Sequence, residues 1–384
     1  MRHQNSVFHD LLKLIDWPVF ERLVHEQGSD ELARSFTSRN HLIALLFCQF
    51  EGAHSLRAVE ASMASHRARL YHVGAKVPPR STLADANKAR SSKPFSNLFE
   101  HMLAKANRAV RRKLDDEVRL IDSTSLHLAG AGTNWARFST DVCGAKAHVI
   151  YDPDAGCPVY HAVTPANVND ITPAQTMPVE AGATYVFDLG YYDYAWWAKL
   201  DEAGCRIVTR FKTNTPLNAA REMPVPPGSG VLSDRIGFLP GRQAKSRKNP
   251  MRDAVREVTV MTDTGKMLRI LTNDLDAPAD EIADLYKRRW QIELFFRLIK
   301  QTLRITHFMG RSENAVRIQI AVALVAYLIL HMLQQITKVK HGFLELVRLV
   351  RTNLMHRKSA RNLLEIQRPP QQDSRQLDLN WATS

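Results

Sequence analysis

The sequence predicts an α/β protein: a mixed-sheet core, preceded by a helical N-terminal region and followed by a loop-rich stretch with a hairpin. Three observations predict it. Roughly the first 110 of the 384 residues carry helical periodicity and little strand patterning. From Val118 to Phe211, β-branched apolar runs alternate with short helical segments. A loop-rich and strand-rich stretch, 212–274, then separates that region from a strongly apolar late helix.

The elements follow in order. "SRNHLIALLFCQFEGAHSLRAVEASMASHRARLYHV" gives an apolar helix from His41, a break at Gly52, and a second helix capped by Ser55. The pair has the form of a helix-turn-helix, which any helical hairpin also has. Thr82 and Asp85 are spaced as a capping box for a basic helix. "KANRAVRRKL" adds Lys105, Arg108, Arg111, Arg112 and Lys113, either a solvated face or one that tracks phosphates.

"VRLIDSTSLHL" is a strand expected to give way to polar residues at Asp122. "AKAHVIYDPDAGCPVYHAVT" is a hairpin turning at Pro-Asp-Ala-Gly. "TPANVNDITPAQ" reads as a loop and a short helix. "ATYVFDLG" is a continuous apolar strand, of the kind buried on both faces, ending at Asp188. "YDYAWWAKLDEAG" is a helix stopped by Gly204, with Trp196 and Trp197 as core residues, and "CRIVTRF" is another strand.

A second hairpin is expected in "REVTVMTDTGKMLRILTND", turning at Asp263-Thr-Gly265. Within 212–274, Lys245, Arg247, Lys248, Arg252 and Arg256 are positioned either to follow a nucleic-acid backbone or to form a basic loop. Pro278 opens one long helix whose first turn holds Asp280 and Glu281, favourable at the positive end of its dipole. The apolar run Ile320–Leu330 is shorter than the ~20 residues a membrane span needs and reads as a buried helix. The tail after Arg351 turns basic, then Pro/Gln/Asp-rich, and is expected to fray.

Charge narrows the function. Lys and Arg number 52 against 39 Asp and Glu, a net +13, which suits a polyanionic partner, most simply nucleic acid. The four cysteines lack a C-x-x-C pair, which argues against a zinc knuckle or a disulfide framework and fits a reducing cytosol. The polar N-terminus does not look like a signal peptide.

The segment "YKRRWQIELFFRLIKQ" concentrates the chemistry. At about 100° per residue, Tyr286, Arg289, Glu293 and Lys300 share an arc of roughly 60°, with Arg297 and Arg304 nearby. The rest of the wheel is largely apolar, as in a buried helix with one polar stripe. Such a stripe can be simple i,i+4 ion pairing. Asp122 and Asp188, each expected at the end of an apolar strand, offer the other possibility. Sites in α/β sheets form where strands give way to loops at one edge. Three carboxylates brought together repel unless a cation neutralises them, and an all-oxygen set selects a hard ion such as Mg²⁺ or Mn²⁺. Two such ions can drive phosphodiester displacement. Arg289 and Lys300 are suited to phosphate, and Tyr286 to phosphate, sugar or base. A two-carboxylate glycosidase would use the acids but leaves the net charge and the cationic stripe unexplained.

Tyr286, Arg289, Glu293 and Lys300 at this spacing resemble the Tyr-Arg-Glu-Lys signature of bacterial insertion-sequence transposases of the insertion-sequence-four family. "IDST" at Asp122 and "DLGYYDY" at Asp188 resemble the family's first and second catalytic blocks. The likeness covers roughly 80–335, and the first 76 residues resemble, less distinctively, a small helical domain of some members. The resemblance implies an RNase H-like mixed-sheet core with a β-rich insertion between the second and third acids, in which Asp122, Asp188 and Glu293 hold two Mg²⁺, with Mn²⁺ as a substitute. It also implies DNA contacts from Tyr286, Arg289 and Lys300. The implied activity is cut-and-paste transposition: binding of inverted-repeat ends, strand cleavage by water, then strand transfer by a freed 3′-hydroxyl. The implied partners are double-stranded DNA and a second copy of the chain in a synaptic complex, in the bacterial cytoplasm at the nucleoid, with no membrane. A silent or domesticated relative acting as a DNA-binding protein is the alternative. Some relatives use a tryptophan in the insertion to receive a flipped base. Here none lies between Trp197 and Trp290, and Phe238 is a weak substitute. The expected organisation is a helical DNA-binding region, 1–110, a catalytic region, 111–340, with its insertion at about 212–274, and a basic C-terminal helix and tail, 341–384.

Overall fold

A computed structural model describes residues 5–110, 117–128, 135, 143–225, 228, 230–244, 247–262, 264–303, 308–337 and 342–364. Arg111, Arg112, Lys113, Lys245, Asp263, Arg304 and most of the C-terminal tail lie outside them, as does the side chain of Arg108.

The N-terminal region is helical: α1 (Val7–Leu12), α2 (Trp17–Glu26), α3 (Ser38–Glu51), α4 (Leu56–Ser65), α5 (Arg67–Leu70), α6 (Arg80–Ala89) and α7 (Lys93–Val110). Helix α3 ends at Gly52 in the left-handed region, φ 80°, and Ser55 caps α4 by accepting from the Ala58 amide. The capping box at Thr82 and Asp85 does not form. Helix α6 starts two residues before Thr82, behind Pro79 at φ −56° and ψ 142°, and Glu60 accepts from the Arg80 amide instead.

The strands are β1 (Val118–Leu128), β2 (Cys143–Asp152), β3 (Cys157–Pro165), β4 (Thr184–Phe187), β5 (Arg206–Arg210), β6 (Asn218–Glu222), β7 (Val231–Phe238), β8 (Arg242–Ala244), β9 (Arg247–Lys248), β10 (Val255–Met261) and β11 (Met267–Thr272). Nine of them form one sheet in the order β3-β2-β1-β4-β5-β11-β10-β7-β6, and β8 pairs with β9 alone. Strands β3, β2 and β1 form an antiparallel meander, and β4 and β5 continue parallel to β1. That five-stranded order is the RNase H-like arrangement. The insertion extends the same sheet, because β11 adds antiparallel to the free edge of β5.

Helices cover both faces. On one, α8 (Ile171–Ala174) and α9 (Tyr194–Glu202) lie over Ile121, Tyr185, Phe187 and Ile207, with Trp196 and Trp197 buried. On the other lie α10 (Ala279–Arg288), α11 (Trp290–Thr302), α12 (Glu313–Thr337), α13 (Phe343–Asn353) and α14 (Ala360–Leu364). Leu120, Val186, Val208, Val258 and Ile270 face them. Helix α12 also packs against α3, α6 and α7, so the N-terminal helices share this core. By length and composition α12 could cross a membrane, but most of its apolar window is buried inside the protein, as in a core helix. Past Arg351 the chain keeps its helical packing as far as α14, with Ala360 and Leu364 buried.

The single long helix expected from Pro278 is two. Arg289 stands between α10 and α11, and its amide bonds to the Tyr286 carbonyl, a tight i→i+3 turn between the two helices. Nor is α11 buried all round outside its stripe: Trp290 is 51% and Leu294 44% exposed. A helical wheel orders the side chains but does not say where solvent lies.

Candidate active site

Strand β1 does not end at Asp122. It pairs with β2 as far as Leu128–Cys143. What ends there is the parallel pairing: β1 and β4 match Val118–Thr184, Arg119–Tyr185 and Leu120–Val186, and no further. Asp122 and Asp188 each lie two residues beyond that last pair. Side chains two apart share a face. Leu120 and Val186 both enter the core under α10 to α12, so both acids belong to that side of the sheet, just past the separation of the strands.

Local hydrogen bonds set each carboxylate. Asp122 Oδ1 accepts from the Ser123 amide at 2.7 Å. Asp188 Oδ1 accepts from the Gly190 amide at 2.8 Å, capping a 3-10 turn, Leu189–Tyr191. A side chain at Gly190 would crowd two carboxylates: its Cβ would stand 3.0 Å from Asp188 Oδ1 and 3.2 Å from Asp170 Oδ2.

Helix α11 packs on β1 and brings Glu293. Arg289 links the acids. Its Nη2 donates to Glu293 Oε1, and its Nη1 lies 3.5 Å from Asp122 Oδ2. Its Nε is buried without an acceptor. Tyr286 lies beside it, with the guanidinium carbon 5.8 Å from the ring centre. Burial, opposed by Arg289 and assisted by Asp188, raises the Tyr286 hydroxyl pKa. Lys300 is half-buried, makes no hydrogen bond or ion pair with a described residue, and is lowered by burial. Arg297 leaves the stripe and sits 5.7 Å over the Trp290 ring.

Burial pushes the Asp122 carboxyl up to about 7; Asp188 and Glu293 add to this, while the Ser123 amide and Arg289 oppose it. Arg289 itself loses charge stability to burial, but Tyr286, Glu293 and Asp122 more than restore it. The donor chemistry fits a hard divalent cation. The present arrangement gives the neutralising role to the Arg289 guanidinium. Among the described residues no three His, Cys, Asp or Glu side chains stand close enough to hold an ion together.

Sequence reasoning missed Asp170, Ser123 and Tyr191. Asp170 lies beside the site and accepts from Ser123 and Lys146. Tyr191 is buried near Asp122, Asp170 and Asp188, which add to burial in raising its pKa. An acid before Ile-Thr-Pro looks like an ordinary helix start, and no spacing sets it apart. Of the basic insertion residues, Arg256 is withdrawn from any surface role. It is buried and forms a two-bond ion pair with Asp234 at 2.8 and 2.7 Å. Arg247 pairs with Asp193 at 3.2 Å, while Lys248 and Arg252 are exposed.

Comparisons with known proteins point to a family. A family model described as a transposase DDE domain matches residues 113–329, and a domain of unknown function matches 3–76. A Sinorhizobium fredii protein named "Putative transposase y4zB" is 39% identical over 76% of this chain and 81% of its own length. A Geobacillus stearothermophilus protein named "Probable transposase for insertion sequence element IS5377" is 28% identical over 72% and 74%. A piggyBac transposase chain from a synaptic complex with hairpin DNA aligns at 13% identity and a TM-score of 0.49, over 96% of this chain and 84% of its own. The family match over more than half the chain, on a sheet with the RNase H-like strand order, places this protein among the DDE transposases of bacterial insertion sequences.

Proposed function

We propose that this transposase binds the inverted-repeat ends of its element and carries out metal-dependent DNA cleavage and strand transfer through Asp122, Asp188 and Glu293. The observation that carries this reading is the Asp122–Arg289–Glu293 bridge beside Asp188: one guanidinium joins two acids remote in the chain where the parallel strands part.

In this reading the three carboxylates hold the ions. Bound Mg²⁺ or Mn²⁺, two ions by preference, supplies activation of an attacking oxygen and stabilisation of a leaving one. Arg289, released from the acids, turns its guanidinium to a phosphate bidentately. Lys300, half-buried and unpaired among the described residues, meets phosphate as a point charge. Tyr286 donates its hydroxyl to the backbone near the cut. Water is the first nucleophile and a freed 3′-hydroxyl the second. The helical region 1–110 and the cationic surface engage the DNA ends, and a second copy of the chain completes a synaptic dimer in the cytoplasm, at the nucleoid.

The test uses purified full-length protein and a duplex carrying the element end. Alanine at Asp122, Asp188 or Glu293 abolishes nicking and leaves duplex binding intact. Retained nicking in all three variants rejects the assignment. One observation favours the second reading, a silent DNA-binding relative: Arg289 already neutralises two of the acids. That reading predicts salt-sensitive binding with no nick in saturating Mg²⁺ or Mn²⁺.

A further inference from the structure

We propose that Asp170 is a positioning residue of the acid site, holding the Asp122 and Asp188 carboxylates in register from the opposite side of β1. This rests on the catalytic reading above. Asp170 lies in the turn between β3 and α8, at the start of that short helix. Its Oδ1 accepts from Ser123 Oγ at 2.9 Å and from Lys146 Nζ at 3.0 Å. Lys146 also donates to the Val168 carbonyl at 3.0 Å, which ties the ammonium to the same turn. His148 is fully buried, with its Nδ1 3.8 Å from the same oxygen and without a hydrogen bond. Its Nε2 is held by Thr164 at 2.8 Å. Three residues from β1 and β2 therefore converge on one carboxylate.

Two branches lead from Asp170 to the acids. In the first, Asp170 anchors the Ser123 hydroxyl, and the Ser123 amide donates to Asp122 Oδ1. Successive strand side chains point to opposite faces, so Ser123 is gripped on one face of β1 while its backbone orients Asp122 on the other. In the second, Asp170 Oδ2 lies against Gly190, whose amide holds Asp188 Oδ1. Removing Asp170 frees both the Ser123 peptide and the Gly190 turn. Groups that orient metal-binding carboxylates typically change metal affinity by about 10–100-fold when removed.

The experiment compares Asp170→Asn, Ser123→Ala and the double variant in the full chain. Two readouts are taken: Mn²⁺ binding by calorimetry without DNA, and nicking of an element-end duplex across a Mn²⁺ series. Thermal melting selects folded variants, and Ser123→Ala, which removes one hydroxyl, carries the test if Asp170→Asn does not fold. The expected result is Mn²⁺ affinity lowered about 10-fold or more in each single variant. The nicking curve shifts to higher Mn²⁺ with much of its plateau kept, and the double variant is no worse than Asp170→Asn, as for two links of one chain. Wild-type Mn²⁺ affinity in folded Ser123→Ala and Asp170→Asn, or losses that simply add, overturns the proposal. Asp122→Asn is the control for the underlying reading. If it leaves Mn²⁺ binding and nicking untouched, the metal site itself is misassigned, whatever Asp170 does.

Discussion

Two clusters of buried charge sit on the same sheet and are built oppositely. In the insertion, Glu257 is fully buried and receives Arg269 at 2.6 and 3.0 Å and Arg235 at 3.2 and 3.1 Å. Burial alone would raise its carboxyl, but the two arginines pull it below the usual range. At the candidate active site, Asp122 shares one arginine with Glu293, faces Asp188, and is pushed up to about 7. The first cluster is complete without a ligand. The second is short of positive charge. Charge that folding leaves uncompensated marks where a cation or a polyanion's counter-groups belong.

The largest test of this contrast is activity. Asp188→Asn or Glu293→Gln is expected to lower strand nicking by about 10³-fold or more, whereas Glu257→Gln, on β10, three strands along the sheet from β4, leaves the rate per folded molecule unchanged. Unfolding reverses the order. Glu257→Gln strands Arg235 and Arg269 and costs on the order of 3–5 kcal/mol in denaturant titration, while Asp188→Asn costs little.

The pH dependence separates the clusters further. The Asp122 carboxyl is raised in the folded state, so wild-type stability falls as pH rises from about 4 through about 7. Asp122→Asn is expected to remove that fall and to be the more stable protein at pH 8, by a few kcal/mol at most. Glu257, lowered on folding, contributes stability above the unfolded carboxylate range and loses it as pH falls through its folded value. A third titration is an internal check. His41, held neutral with its pKa near 3 by burial, donates one bond from Nε2 to Asn87 Oδ1. Its contribution is full above about pH 6.5 and is lost at about 1.4 kcal/mol per pH unit on acidification; His41→Gln removes that slope.

The sequence was most legible where chemistry and periodicity coincide. The strand–hairpin–strand–helix–strand order from Val118 to Arg210 was readable from apolar runs and turn residues, and the structure builds those elements. The break at Arg289 was not readable, because "YKRRWQIE" holds no Gly or Pro and its helical periodicity runs through unbroken. Thr82 and Asp85 misled because cap spacing alone does not show that Pro79 already starts the helix. Arg256 looked like a surface base because its partner, Asp234, is 22 residues away on β7. Asp170 stayed hidden for the same reason: its partners Ser123 and Lys146 are 47 and 24 residues off, and only strand pairing brings them together.

The sharing of α12 between the N-terminal helices and the sheet has a practical consequence. Deleting residues 1–76 would strip Leu42, Leu46 and Phe50 from the core and uncover a helix greasy enough for a bilayer. Such a fragment is expected to aggregate rather than behave as a minimal nuclease, and the helices expressed alone would lack their floor. Dissection of DNA recognition from cutting is therefore better pursued by point substitution on the intact chain than by cutting the gene in two.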